Sequence, residues 1–278
     1  MPEFDTPEPI SVTLEFDIGS VRITASKRTD TVITVLPSNP AEEVDVRAAQ
    51  QTKVSRADGT VLIKGPRKRS LFGRSGSLDI SIALPDGSAV HGNSPMGDFV
   101  AEGHLGDCKL KTSAGDIRLD QADRVQLKTG HGTVRVERAA GAAEITGSGR
   151  IEVGEVAGTA TVRNLNGETV IGEVIGDLRV HSSNGRIVVG VAHAGVDAKS
   201  AHGDIRIGEV ARGQILLQTG AGDLELGIRE STAAWLDLNT NLGGVHNALG
   251  PTDGPRATDE RAEVRARTGL GDITIHRA

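Results

Sequence analysis

Apolar and polar residues alternate along this chain, and the alternation recurs at a nearly fixed interval. Gly97, Gly115, Gly132, Gly149, Gly167, Gly185, Gly203 and Gly222 follow one another at spacings of 18, 17, 17, 18, 18, 18 and 19 residues. Two and four residues past the glycine stand aliphatic pairs: Ile117 and Leu119, Val134 and Val136, Ile151 and Val153, Ile187 and Val189, Ile205 and Ile207, Leu224 and Leu226. Mostly polar residues, among them Asp116, Arg118, Arg135, Glu152, Arg206 and Glu225, lie between and before them. A period of two marks a half-buried β-strand. A second pair follows eleven and thirteen residues past the glycine: Cys108 and Leu110, Ala143 and Ile145, Ala160 and Val162, Leu178 and Val180, Val196 and Ala198. Each unit therefore holds two strands.

The turns suit this reading. A Ser, Thr or Asn stands three residues before each glycine from Gly115 to Gly222. Its side chain is suited to bonding nearby backbone amides, while the glycine supplies a positive φ. Corners reading Gly154-Glu-Val-Ala-Gly158 and Gly172-Glu-Val-Ile-Gly176 join the two strands. The expected fold class is all-β: a single-chain parallel β-solenoid with coils of about eighteen residues, each adding one strand to each of two sheets at roughly 4.8 Å per rung. No coil buries its apolar face alone, so stability is a sum over neighbours. Eight or nine rungs would make a rod on the order of 40 Å long. Periodicity does not determine handedness, and the general preference is for right-handed crossovers.

The repeat decays at both ends. Residues 1–90 read as an irregular β-rich cap continuous with the solenoid, with Ile10, Val12, Leu14 and Phe16 alternating ahead of Gly19-Ser-Val-Arg-Ile23. Residues 91–239 are the regular repeats. Residues 240–278 are C-terminal rungs, in which Gly271-Asp-Ile-Thr-Ile275 restates the unit. No segment reads as a helix longer than a turn or two.

Composition now has a cause. Of 278 residues, 36 are glycine, four phenylalanine, one tryptophan and none tyrosine, as a thin aliphatic interior with glycine turns requires. The glycines lack a strict three-residue period, which excludes collagen, and 37% hydrophobic residues exclude a disordered chain. A net charge of −6 and a pI near 5.8 argue against specific nucleic-acid binding. The chain shows no apolar run of membrane-spanning length and no secretory leader pattern, and it has a single cysteine, so the expected compartment is the cytoplasm.

The repeated Gly-Asp-Ile-Arg-Ile units, the Gly-Glu-Val-x-Gly corners and the segment Arg69-Ser-Leu-Phe-Gly-Arg-Ser-Gly-Ser-Leu-Asp-Ile80 resemble the bacterial β-strand-repeat family of candidate adhesins, domain of unknown function 4097. The opening Phe-Asp-Thr-Pro-Glu-Pro-Ile is similar to its actinobacterial members. The resemblance spans essentially the whole chain. It implies a β-solenoid and brings no catalytic residue, cofactor or ligand. Some relatives belong to envelope-stress systems.

Candidate chemistry is sparse. Asp98, Asp116, Asp204, Asp223 and Asp272 each follow a glycine directly. Calcium-binding β-rolls instead repeat Gly-Gly-x-Gly-x-Asp every nine residues. Here Thr133, Arg150, Glu168 and Arg186 interrupt the row, so the aspartates read as solvated partners of nearby arginines. His131 and His202 are four rungs apart, about 19 Å, too far to share an ion. The apolar positions do not recur singly every six residues, as in hexapeptide-repeat acyltransferases, and no acid or arginine cluster suggests a lyase groove. We therefore expect no catalytic residue, no metal site and no cofactor. Cys108 falls on an inward position and reads as a buried hydrophobe. Two features suit an interaction surface. One is the basic run containing Arg67, Lys68, Arg69, Leu71, Phe72 and Arg74, suited to an acidic partner or anionic lipid. The other is Trp235, which alternation with Leu236 and Leu238 turns outward or under a covering loop.

The expected function is that of a non-enzymatic scaffold or protein-interaction module binding through an extended charged surface. Its expected partners are proteins or further copies of itself, with peripheral membrane contact through the basic run. Two alternatives are a self-assembling, bactofilin-like element with stacking ends, and an envelope-stress or membrane-associated sensor using residues 66–74.

Overall fold

A computed structural model describes residues 2–57, 59–66, 75–250 and 260–278. The chain divides into two compact units, Met1–Ala140 and Gly141–Ala278. Both are parallel β-solenoids in their repeating parts.

In the C-terminal unit one ladder stacks Ala143–Gly147, Ala160–Asn166, Leu178–Asn184, Val196–His202 and Gly213–Ala221 in parallel. The other stacks Ile151–Val156, Thr169–Val174, Ile187–Ala192, Ile205–Val210 and Leu224–Ile228. Register follows the sequence period: Leu178 faces Val196, and Ile187 faces Ile205. The inward pairs of both strands are buried, so the core is a double column of Val, Ile, Leu and Ala.

The last two coils leave chain order. Glu260–Leu270 and Ile273–Arg277 pair directly onto Gly213–Ala221 and Leu224–Ile228. Thr232–Leu242 and Val245–Asn247, earlier in the chain, stack outside them. The C-terminal coil is thus inserted between two coils that precede it. Its inward residues Ala262, Val264, Ala266, Ile273 and Ile275 are all apolar and buried. The displaced coil presents Asn247 opposite Ile275, and an amide buried without a partner is costly. Placing that coil outermost leaves Asn247 exposed.

The N-terminal unit is reordered too. Ser11–Glu15 and Ile18–Ser26 lie between Thr60–Lys64 with Ser77–Pro85 on one side and Ala89–Ala114 on the other, all parallel. Ala89–Ala114 then carries Ile117–His131, which carries Val134–Ala139. On the outside, Lys53–Ala57 pairs antiparallel with Thr60–Lys64, and Asp30–Pro37 with Ser77–Pro85. Glu3–Asp5 adds a short antiparallel edge to Asp30–Pro37.

One helix, Glu43–Gln51, corrects the expectation that none exceeds a turn or two: its nine residues make about two and a half turns. It buries Ala48, and its Asp45 carboxylate accepts the Ser77 amide at 2.8 Å. A Cβ on Gly76 would lie 2.3 Å from the Val44 carbonyl, so glycine lets the helix approach. Two rings also enter the interior. Phe16 and Phe99 meet edge to face at 5.8 Å, and they fit because Gly92 and Gly97 leave room that a side chain would fill.

Candidate interaction surfaces

The surface is built from the turns. At Gly115, Gly132, Gly167, Gly185, Gly203 and Gly222 the turn glycine takes a positive φ, and a Cβ on it would strike the previous rung's glycine carbonyl: 2.2 Å for Gly185 against Gly167, 2.3 Å for Gly203 against Gly185. The residue three before the glycine completes the stack. The hydroxyls of Thr129, Thr219, Thr268 and Thr240 each donate at 2.9 Å to a turn glycine carbonyl, that of Gly115, Gly203, Gly222 and Gly271 respectively. Asn164 does the same with its amide to Gly149. The sequence pattern pointed to backbone amides, but the acceptor in these cases is a carbonyl one rung away. Ser182 and Ser200, at the same place in their turns, have buried hydroxyls without a partner among the described residues.

The aspartates after the glycines have a role that spacing did not reveal. Asp98 accepts the backbone N–H of Asp116 at 2.8 Å, and Asp116 that of Thr133 at 2.7 Å. Farther on, Asp204 accepts from Asp223, Asp223 from Asp272, and Asp272 from Gly244. Each carboxylate thus clips its rung to the next, and the last two clips follow the inserted rung order. Among the described residues, no group of three or more His, Cys, Asp or Glu side chains is placed to hold a metal ion.

Outward positions form rows of paired charge. Arg150 meets Glu168 at 3.4 Å, Arg186 meets Asp204 at 4.0 Å, and Arg206 meets Glu225 at 3.3 Å. The arginines are exposed and the carboxylates half-buried, so solvent screens each pair and it contributes little stability. Their effect is to fix charge at rung spacing on a rigid face. On the outer face of the final rungs, Gln218, Gly220, Asn239, Asn241, Arg267 and Gly269 line a shallow polar groove of about 310 Å³.

Trp235 stands on the outermost strand, 56% exposed, with the Arg265 guanidinium 6.0 Å from its ring. Arg67, Lys68, Arg69, Leu71, Phe72 and Arg74 lie outside the described residues. His131 and His202 are exposed, and His193 bonds Glu173 at 2.7 Å. His104 bonds Asp123 at 2.9 Å and has Asp86 at 3.6 Å. The bond to Asp123, reinforced by the charge of both carboxylates, raises its pKa above the ordinary 6.5. This contribution to stability is fully present below the ordinary value and is lost as pH rises through the elevated one. In an NMR titration we expect the His104 ring to titrate above 6.5 and Asp123→Asn to move the midpoint down; an unmoved midpoint contradicts the assignment.

Cys108 is 2% exposed, and burial pushes its thiol up to about 12. The native protein should therefore leave the thiol unmodified by Ellman's reagent, and denaturant should release one equivalent. Rapid labelling of the folded chain would contradict its placement.

A family model, Toastrack DUF4097, matches residues 10–277. The chain belongs to the Toastrack family. No curated protein matches this Toastrack chain. Solved structures similar to it include a candidate adhesin of Bacteroides fragilis, 15% identical, covering 99% of this chain and 95% of that one with a TM-score of 0.38. A candidate cell adhesion protein of Clostridium sporogenes is 12% identical over 100% of this chain and 99% of that one, with a TM-score of 0.24. Among the described residues, no helix is long and apolar enough to cross a membrane.

Proposed function

We propose that this Toastrack chain is a non-enzymatic interaction module that binds protein partners through its rows of outward charge. The observation carrying this reading is the charge that stacked rungs set side by side, Arg150 against Glu168, Arg186 against Asp204 and Arg206 against Glu225. A partner with charges at a matching interval gains many weak contacts at once, without ordering flexible loops first. In this reading the module is cytoplasmic, where the lone Cys108 thiol stays reduced.

The test is proximity labelling in the native host, comparing wild type with Arg186→Glu/Arg206→Glu. Both side chains are exposed, so the variant should fold normally while losing most of the wild-type neighbour set. An unchanged neighbour set overturns the reading. So does turnover of any substrate that a single substitution abolishes.

A further inference from the structure

The C-terminal unit ends in an unfinished rung. Among the described residues, Thr232–Leu242 is paired along one side only, with Glu260–Leu270. The Leu242 carbonyl accepts the Gly271 amide. Alternate residues of a parallel strand direct their polar groups to opposite neighbours. Alternate residues along Thr232–Thr240 therefore turn their backbone N–H and C=O groups away from the stack. The inward row Ala234, Leu236, Leu238 and Val245 lies over Ala262, Val264, Ala266 and Ile273. Those four are buried, yet none of the row above them is. Of the eight large hydrophobic side chains exposed among the described residues, Trp235, Leu242, Val245 and Leu270 all belong to the last two rungs.

We propose that this rung is a self-docking edge on which a second copy of the chain pairs antiparallel, forming a closed two-fold dimer. The proposal is independent of the charged-row reading. An exposed strand of eleven residues is a template for another strand. The same edge on a second copy matches it in length and in its apolar row. Antiparallel pairing centred on Leu236 or Leu238 keeps inward residues inward on both copies. It also separates the two Asp237 carboxylates, each held by its own Arg267 at 3.0 Å. Among the described residues, head-to-tail stacking has no open strand of matching length at the other end. In the N-terminal unit the outer coil is covered on both ladders by antiparallel strands, and the outermost of these, Glu3–Asp5 and Lys53–Ala57, are only three and five residues long. One open edge closes on itself as a pair, whereas a filament needs two complementary ends.

The test is size-exclusion chromatography with light scattering on the full chain, from about 1 to about 200 μM, the range over which a micromolar dimer forms. Wild type should approach twice 28.9 kDa at the top of the range and fall toward 28.9 kDa on dilution. Trp235 is the only tryptophan, so its emission should move to the red over the same dilution. Leu238→Lys should remain at 28.9 kDa with wild-type circular dichroism, because at a free end the lysine head reaches water. A wild type of 28.9 kDa throughout overturns the proposal, and so does a mass that grows past two copies. If Leu238→Lys fails to fold, the wild-type dilution series decides alone.

Discussion

Gly203→Ala should be among the most damaging single substitutions in the repeats. Gly203 has φ +140°, and an added Cβ would sit 2.3 Å from the Gly185 carbonyl oxygen. The backbone conformation alone costs an alanine on the order of 1–3 kcal/mol. The clash adds to this, because its partner is another rung's backbone and cannot swing aside. We expect a loss of about 3 kcal/mol or more, lowering the melting temperature by roughly 10 °C in a chain of this size. Gly250→Ala is the control, since nothing lies within 4 Å of its Cβ position and its φ lies outside the left-handed range. Urea and thermal unfolding of both variants measure the difference. A loss below about 1 kcal/mol for Gly203→Ala would mean that the rungs do not stack through their turn glycines.

Removing residues 260–278 should damage more than the segment removed. Gly213–Ala221 would lose its outer neighbour, and Thr232–Leu242 its paired strand. The clips from Asp223 to Asp272 and from Asp272 to Gly244 would go with them. Since each rung draws its stability from its neighbours, the orphaned coil should detach. In hydrogen exchange, amides of residues 232–247 should become unprotected and those of residues 224–228 should exchange faster. Had the coils stacked in chain order, the same truncation would shorten the end and leave residues 232–247 protected.

The repeating part of the fold was legible because its cause is local and periodic. Residues two and four past each glycine had to point one way, and Ile117, Val134, Ile151, Ile187, Ile205 and Leu224 are buried accordingly. Cys108 was legible for the same reason. Adjacency of coils was not: a period says that Glu260–Leu270 can stack, but not on which coil. Asn247 is one residue suited to the outermost place, since its amide stays in water there. The helix Glu43–Gln51 escaped notice because its four apolar residues, Val44, Val46, Ala48 and Ala49, do not keep to one helical face. The aspartates were read as partners of arginine because spacing along the chain does not show a carboxylate reaching the amide of the next rung. Of the two suggested contact features, Trp235 is exposed as alternation indicated, whereas the basic run at Arg67–Arg74 lies outside the described residues.

The rung order underlies both the open edge and the dimer built on it, and methyl NOEs in the C-terminal unit test it most directly. Ile215, Val264 and Leu236 are successive inward residues of one column. Neighbouring rungs lie about 4.8 Å apart and alternate rungs about 10 Å apart. Strong cross-peaks between Ile215 and Val264, with much weaker ones between Ile215 and Leu236, are the predicted result. Strong contacts between Ile215 and Leu236, with Val264 remote from Ile215, would restore chain order and contradict the account.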